Sequence, residues 1–442
     1  MQTGNFLLDF ELNFFKSLGV ILSYAGWFII PLILFSIFWY LRLRFIRRQF
    51  IKKMDFKLIE VKIPKDIFIT AKAMEQIFAA MYSIYSFGIK SRWDRYVVGK
   101  VEEKISFEIE GSQAGVRFFI YFPARRRKLI EMAIYAQYPN AEIFETEDYA
   151  KSLPIHLPND EYEVWGANYI FNKDNYYPIR TYYYFEETEE EKRIDPLAHI
   201  IEVMSNLNEG EQMWYQMIIA GTGKATDNDW QKEGEDKISE IAGHKKEDKN
   251  KFSVWGELNM WITNFFKAPF AEINWGEEKK EEKPIARFLT PVAQNIVKAI
   301  GNKISKPGFE TVIRFVYIDR KDAFSPLNVA AFTGSFQQFG TQDLNSFRPG
   351  KEITIIINLL SKISPRYKKM MEFIKKRAIY FAYINRRFGK TNMERKEKFP
   401  VLNTEELATI YHFPSLTIET PKLRRLETKK GGPPKGLPII KM

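Results

Sequence analysis

Apolar positions are most concentrated near the N-terminus, where residues 17–41 form a run without any charged side chain. A helix of about 20 residues, rising ~1.5 Å per residue, crosses a bilayer core of ~30 Å. Pro31 lies inside the run, and membrane helices tolerate a proline. The pattern therefore predicts a transmembrane helix at 17–41.

A basic segment at 42–53 follows this run and predicts its orientation. Positive charge beside a membrane span stays on the cytoplasmic side. We therefore expect an inner-membrane protein with residues 1–16 outside the cytoplasm and the bulk of the chain inside it. A cleaved signal peptide is the alternative, but Asp9 and Glu11 stand where such a peptide carries basic residues. The candidate topology residues are Arg42, Arg44, Arg47, Arg48, Lys52 and Lys53.

Strand and helix periods alternate over residues 54–160. Strand patterns lie at 56–63, 105–110, 116–122 and 141–145, and helical patterns at 73–85 and 125–138. The order βαββαβ is typical of a split βαβ unit. We therefore predict a ferredoxin-like α+β domain over this part of the chain.

A second unit of the same class is predicted over 161–360, with a long insertion at 221–284. Strand patterns lie at 162–171, 177–185, 212–220 and 309–319, and helical patterns at 195–207, 290–304 and 327–339. The predicted fold class is thus α+β, with one transmembrane helix followed by two ferredoxin-like units.

The insertion contains charge-rich runs and one aromatic segment with helical spacing. Two interpretations of the aromatic segment stay open. It packs on its own domain, or it lies at the membrane interface with its tryptophans at headgroup depth. The candidate interfacial residues are Trp255, Trp261, Phe265 and Phe266.

Positive charge is distributed unevenly in a chain of net charge +11. The segments 42–53, 364–398 and 422–442 together carry more positive charge than this net value, so the rest of the chain is acidic. This distribution excludes a uniformly basic nucleic-acid-binding body and favours local sites for anionic partners.

A basic amphipathic helix is predicted at 364–388. Its lysines and arginines belong to a solvated face or contact anionic lipid, nucleic acid or an acidic partner. Its apolar stripe consists of Met370, Ile374, Ala378, Phe381 and Ile384.

Candidate chemistry is sparse. The chain has no cysteine and four histidines without metal-site spacing, which argues against thiolate and helical zinc sites. The stretch GTGKAT at 221–226 resembles a phosphate loop, but Ile218 replaces the required glycine and Ala225 the Mg²⁺-binding hydroxyl residue. We therefore predict a protein that is not an enzyme and has no catalytic residue, cofactor or metal.

Four stretches, together with the anchor and its basic flank, resemble a known family. They are YPNAEIFE at 138–145, IDPLAHIIEV at 194–203, KPGFETVIRFVYI at 306–318 and LNTEELATIYHFP at 402–414. The combination resembles the membrane-anchored N-terminal half of bacterial type IV secretion and conjugative transfer ATPases, of the coupling-protein or translocase type. In that family the last stretch leads into a motor domain with a phosphate loop, which this sequence lacks.

The resemblance implies a membrane adaptor that docks a separately encoded translocase ATPase through segment 400–442. Alternatively, 402–414 packs back on the second unit and the basic tail only aids solubility. Two other functions stay open: a membrane-surface scaffold that binds anionic lipid, and a nucleic-acid-binding membrane protein. The expected partners are the bilayer, the ATPase, a second copy of the chain and, indirectly, nucleic acid. The candidate docking residues are Asn403, Tyr411, Phe413, Pro414, Arg424 and Arg425.

Overall fold

The computed structural model describes residues 30–64, 69–86, 91, 93–185, 194–221, 229–243, 289–350, 365–388 and 399–414. The strands are β1 (Phe56–Lys62), β2 (Ile105–Ser112), β3 (Gly115–Pro123), β4 (Glu142–Glu145), β5 (Tyr162–Phe171), β6 (Gln212–Gly221), β7 (Gly308–Arg320), β8 (Phe347–Pro349) and β9 (Val401–Asn403). The helices are α1 (30–52), α2 (Ala71–Ser86), α3 (Arg127–Gln137), α4 (Ala198–Ser205), α5 (Trp230–Ile241), α6 (Pro291–Ile304), α7 (Pro326–Ser335), α8 (Pro365–Ile384) and α9 (Thr404–Ile410).

All these strands belong to one antiparallel sheet. Its order is β4-β1-β3-β2-β6-β7-β5-β8, and β9 pairs with the beginning of β7. Residues 56–145 supply one half of the sheet, β4-β1-β3-β2, and residues 162–349 supply the other half, β6-β7-β5-β8. The halves join through β2 and β6, whose register runs from Ile105 opposite Ile219 to Ser112 opposite Gln212. The α+β class is confirmed, and the two predicted units share a continuous sheet.

One face of the sheet carries the larger apolar core. Alternate strand residues such as Phe107 and Phe315 point to this face, because side chains of a strand alternate between its two sides. They pack against Phe78 of α2 and Phe332 of α7, with ring centroids 5.0 Å and 3.5 Å away. Burying a side chain of this size fully stabilises the folded state by about 1.5–3 kcal/mol. Helices α2, α3, α4, α7 and α9 form this layer.

The opposite face is covered by α8 and the segment 149–157. Trp214 of β6 is fully buried there, between the rings of Tyr149, Tyr380 and Tyr383. Both faces of the central strands are therefore buried, which explains why their polar side chains form internal contacts.

The predicted strand at 177–185 is wrong. This segment is irregular and ends in a 3-10 turn at Tyr182–Tyr184. Its aromatic residues have a high strand preference, but its backbone amides bind side chains of α9. The Ile179 amide donates to Glu406 at 2.9 Å, and the Tyr182 amide donates to Thr409 at 2.9 Å.

Helix α8 lies where the sequence predicts a helix, but its buried face is not the predicted apolar stripe. Its buried residues are Ile379, Tyr380, Ala382 and Tyr383. The sheet face beneath them contains Trp214 and buried polar groups, which suit tyrosines with a ring and a hydroxyl. Of the predicted apolar stripe, Met370, Ile374 and Phe381 are exposed, whereas Ile384 packs against the buried residues of this face.

Within the described ranges, no helix combines the length and the apolar character that crossing a bilayer requires. Residues 17–29 of the predicted span lie outside these ranges, and residues 30–41 belong to α1.

Candidate functional site

The densest group of polar side chains lies under the C-terminal end of α8, at the seam between the two halves of the sheet. Glu108 of β2 is fully buried at its centre. Its carboxylate accepts hydrogen bonds from Ser106 at 2.6 Å, Tyr149 at 2.8 Å and Gln216 at 2.9 Å. A buried carboxylate is tolerated only with such partners and a compensating positive charge.

Arg386 supplies the positive charge. Its Nε and Nη2 atoms each donate to Glu108 at 3.0 Å, and Nη1 and Nη2 donate to Asp148 at 2.6 Å and 2.8 Å. The guanidinium also stacks 4.3 Å from the ring centroid of Tyr121. Burial opposes the charge, but the two carboxylates outweigh it and raise the pKa of Arg386 above its usual value. We call Glu108, Asp148, Arg386, Tyr149 and Gln216 the seam network.

The backbone of Arg386 ends α8 in a strained conformation. Its φ is 45°, in the left-handed region that normally favours glycine. The Arg386 amide donates to Tyr383 O and the Arg387 amide donates to Ala382 O, both at 2.9 Å. A side chain at such a position costs about 1–2 kcal/mol, and the ion pairs of Arg386 offset this cost.

The last carbonyls of α8 accept hydrogen bonds from side chains of the sheet. Arg314 of β7 donates to Ala382 O at 3.0 Å and to Arg387 O at 3.2 Å. Gln216 donates to Tyr383 O at 3.2 Å, and Lys104 donates to Arg386 O. Positive side chains at a helix C-terminus complement the helix dipole and satisfy carbonyls without an intrahelical partner. This end of α8 is therefore fixed to both halves of the sheet.

Lys104 has an unusually low proton affinity for a lysine. Burial, with the charges of Arg314 and Arg386, lowers its pKa to about 8. Its folded-state pKa therefore lies below the ordinary value of ~10.4. Because the folded state favours the uncharged amine, Lys104 adds to the stability of the fold above pH ~10.4. This contribution is lost as the pH falls through about 8.

We expect this shift to be visible in competitive labelling of amines. The labelling rate at Lys104 should reach half of its maximum near pH 8, and mass spectrometry of labelled peptides measures it. Replacing Arg387, an exposed neighbour whose charge also lowers this pKa, by methionine should move the midpoint upward. A midpoint close to pH ~10.4 in the native protein would contradict the buried, cation-rich surroundings of Lys104.

A second charged cluster lines a cavity of about 390 Å³ between α6, α9 and the segment 178–184. Lys303 and Glu406 are fully buried there and lie 3.1 Å apart. Burial raises the pKa of Glu406 and lowers the pKa of Lys303, while each charge partly offsets the other's shift. Glu406 also accepts from the amides of Ile179 and Asn403, at 2.9 Å and 3.0 Å.

Lys306 extends this cluster to the first half of the chain. Its ammonium lies 2.7 Å from both Glu75 of α2 and Glu405 of α9. The Tyr182 hydroxyl donates to the same Glu75 at 2.7 Å. The charges at the cavity are thus paired across α2, α6 and α9, and the arrangement fits a structural role.

The docking role predicted for segment 400–442 is corrected for residues 402–414 by their position in the fold. Asn403, Tyr411, Phe413 and Pro414 are all buried. Asn403 caps α9 through a reciprocal pair of hydrogen bonds with Glu406. These residues belong to the core and present no outer surface to an ATPase.

The segment packs on both halves of the sheet. Strand β9 pairs with β7 of the second half. The Tyr411 ring lies 5.1 Å from Phe107, and the Phe413 ring lies 5.3 Å from Tyr138, both in the first half. The alternative in which this segment packs back on the protein describes it better, although the contacts extend beyond the second unit.

The remaining predicted site residues are divided between α1 and segments that the structure leaves undescribed. The six topology residues lie on α1 or directly after it; Arg42 and Arg47 are half-buried, and the others are exposed. The interfacial candidates Trp255, Trp261, Phe265 and Phe266 and the docking candidates Arg424 and Arg425 lie outside the described residues.

Helix α1 has an exposed apolar part and a part that contacts the body. Arg42 lies 5.3 Å above the ring of Trp39, and Arg44 lies 5.7 Å above that of Tyr40. Farther along, Ile46 touches Gly99, where an added Cβ would come within 2.8 Å of the isoleucine side chain. The helix is therefore seated on the body near residue 46, while its apolar residues before position 42 are exposed.

The seam network is not among the sites predicted from the sequence. Ser106, Glu108 and Glu110 alternate with apolar residues in β2, a pattern that ordinarily indicates a solvated face. The basic end of α8 indicated a positively charged group, but Arg386 and Glu108 are far apart in the sequence, so no local pattern predicted that they pair. In the described ranges, no three His, Asp or Glu side chains are grouped as metal ligands.

The chain belongs to a family described as a domain of unknown function, DUF8128, whose model matches residues 50–425. The match includes the whole sheet, the seam network and the paired charges at the cavity. No protein of curated function matches the chain.

Proposed function

We propose that this protein is a single-pass membrane scaffold, with α1 as part of its anchor and the sheet as a body held at the cytoplasmic surface. The observation that carries the proposal is the exposure of α1. Leu32, Phe35 and Phe38 are exposed by 68%, 60% and 59%, as are the apolar residues around them. So large a contiguous apolar surface indicates an interaction site. Its residues belong to the uncharged run 17–41.

The end of this apolar surface has the composition of a membrane interface. Trp39 and Tyr40 are followed at once by Arg42 and Arg44, whose guanidinium groups stack on the two rings. Aromatic side chains concentrate at the headgroup level, and basic residues stay on the cytoplasmic side. These features support an inner-membrane location with the body in the cytoplasm.

The body is proposed to consist of two ferredoxin-like units joined edge to edge. In the first, the elements β1, α2, β2, β3, α3 and β4 follow the order of a split βαβ unit, and the spatial order is β4-β1-β3-β2. The second repeats this spatial order as β8-β5-β7-β6. The seam network fixes the joint, which gives a rigid body suited to holding partners.

An adaptor for a translocase ATPase is the second candidate, and it rests on the resemblance of the four sequence stretches. The core position of Pro414 supports it, because the chain after this residue starts from a fixed point on the body. Docking would then depend on 415–442, including Arg424 and Arg425. Cross-linking in membranes should recover the ATPase, and replacing both arginines by glutamate should reduce its yield.

Membrane extraction tests the proposed function. We expect the full chain to remain in the pellet after carbonate treatment, because each charge placed in the span would cost about 2.5–3.5 kcal/mol and the native span contains none. Replacing Ile30 and Ile33 by lysine should release a large fraction of the protein.

The matched control places two lysines on the same helix, at the exposed positions Phe45 and Ile51 near the body. This variant should stay in the pellet. Complete extraction of the native chain by carbonate, or equal release of both variants, would contradict an anchor in α1.

A further inference from the structure

The outward face of α8 has four large apolar side chains in contact with solvent. Met370, Phe373, Ile374 and Phe381 are exposed by 52%, 44%, 40% and 42%. Residues three, four and seven positions apart lie on one side of a helix, so these side chains form a row, and Arg377 lies within it between Ile374 and Phe381. Ile155, which is 63% exposed, lies in the segment that covers the sheet beside α8.

The structure holds this row outward. On the other side of the helix, the Tyr380 hydroxyl donates to Pro154 O at 2.9 Å, and Lys376 pairs with Glu163 at 3.0 Å. Arg377 lies 2.9 Å from His156, beside Ile155. The seam network fixes the C-terminal end of the helix. Rotation of α8 to bury the row would break all these contacts.

The charged side chains of α8 are almost all positive. The helix has six basic residues and one acidic residue, Glu372. Arg366, Lys368 and Lys369 are exposed in its first turns, and Arg366, four positions before Met370, lies on the side of the apolar row. An apolar row flanked by lysines and arginines is typical of helices that lie in the interface of a bilayer with anionic headgroups.

The C-terminal end of α8 lies close to the point where the anchor joins the body. Arg386 stacks on Tyr121, and Tyr121 stacks on Phe56 at 5.0 Å. Phe56 begins β1, four residues after the end of α1. A body tethered at this point keeps α8 near the membrane, so even weak binding by its outer face is effective.

We propose that the outward face of α8 is a second membrane contact that binds a bilayer surface rich in anionic phospholipid. Its apolar row enters the interface, and its basic residues pair with phosphate groups. The proposal rests on the proposed function, because the anchor places the body at the membrane. It goes further in assigning a lipid class and an orientation: the α8 face of the sheet lies toward the bilayer, and the layer containing α7 faces away.

Single-cysteine labelling of the full chain in lipid nanodiscs tests this, since the native sequence has no cysteine. An environment-sensitive dye is attached in separate variants at Ile374, at Leu327 of α7 and at Phe35 of α1. Leu327 is a matched exposed apolar position, 78% exposed, on the opposite face of the sheet. Nanodiscs of phosphatidylglycerol are compared with nanodiscs of phosphatidylcholine.

The dye at 374 should gain emission by about twofold or more in the anionic nanodiscs, where it leaves water for the interface. At 327 the emission should be equal in both lipids, and at 35 it should be high in both. Replacing Arg366, Lys368 and Lys369 by glutamate should remove the gain at 374 and leave the signal at 35 unchanged.

Other outcomes separate the two proposals. A protected dye at 35 with a solvated dye at 374 in both lipids would overturn the α8 contact and leave the anchor intact. A solvated dye at 35 would overturn the anchor itself. Protection of 374 in detergent without lipid would mean that protein covers the row, and protection only on adding double-stranded DNA would mean a nucleic-acid site. Both results would overturn the lipid contact.

Discussion

Replacing Arg386 by methionine is expected to lower the free energy of unfolding by about 3–5 kcal/mol, because removing one partner of a buried ion pair leaves the other charge uncompensated. The charge left behind is Glu108, which is fully buried, whereas Asp148 is partly accessible. Urea unfolding of the full chain in detergent micelles, followed by tryptophan fluorescence, measures the change. The Trp214 ring lies 5.4 Å from that of Tyr149 in the network, so its fluorescence reports on opening of the network.

Two further variants separate the loss of the ion pairs from other causes of destabilisation. Arg387 follows directly but is exposed, and its side chain only approaches the ring of Phe381 at 6.0 Å. Its replacement by methionine should change stability by less than ~1 kcal/mol. Replacing Arg386 by glycine removes the same ion pairs but relieves the left-handed backbone, so it should be less destabilising than methionine by about 1 kcal/mol. Equal stability of the variants at 386 and 387 would show that the network is not what holds α8.

The second large effect is expected at the buried pair of Lys303 and Glu406. Replacing Lys303 by methionine should also cost about 3–5 kcal/mol at neutral pH, since Glu406 then stays buried without an ammonium group. Lys306 gives the matched control: its side chain is 29% exposed, and its pairs with Glu75 and Glu405 are partly hydrated. Its replacement by methionine should cost about 1 kcal/mol or less.

The effect at Lys303 should depend on pH in a defined direction. Burial already raises the pKa of Glu406, and loss of Lys303 should raise it further. A carboxyl group with a raised folded-state pKa favours the folded state at low pH, and this contribution is lost as the pH rises through that pKa. The variant should therefore be less destabilised at acidic than at neutral pH. A cost that is independent of pH would contradict an ionised Glu406 as its origin.

Local patterns in the sequence predicted most of the elements but not their environments. The strands at 162–171, 212–220 and 309–319 are confirmed within a residue or two, because alternation is a local signal. The apolar stripe predicted on α8 exists, but three of its five residues are exposed. Periodicity shows that a helix has such a face, but it does not show whether a sheet or another surface covers it.

Other features depend on contacts between distant residues. Glu108 and Arg386 meet because β2 and the end of α8 are brought together by the sheet, and a sequence pattern contains no trace of this. The same holds for segment 402–414, for which the sequence left docking to a partner and packing back on the second unit as alternatives. Its burial depends on pairing between β9 and β7 and on the rings of Phe107 and Tyr138.

The most direct test of the membrane scaffold is thiol accessibility along α1 in intact membranes. Single cysteines are introduced in turn at Ile33, Phe35 and Phe38, and at Gln49 and Lys52, all exposed positions of the helix. The account predicts that a water-soluble maleimide fails to label the first three until detergent is added, and labels the last two from the cytoplasmic side. Equal labelling of all five positions in intact membranes would contradict it.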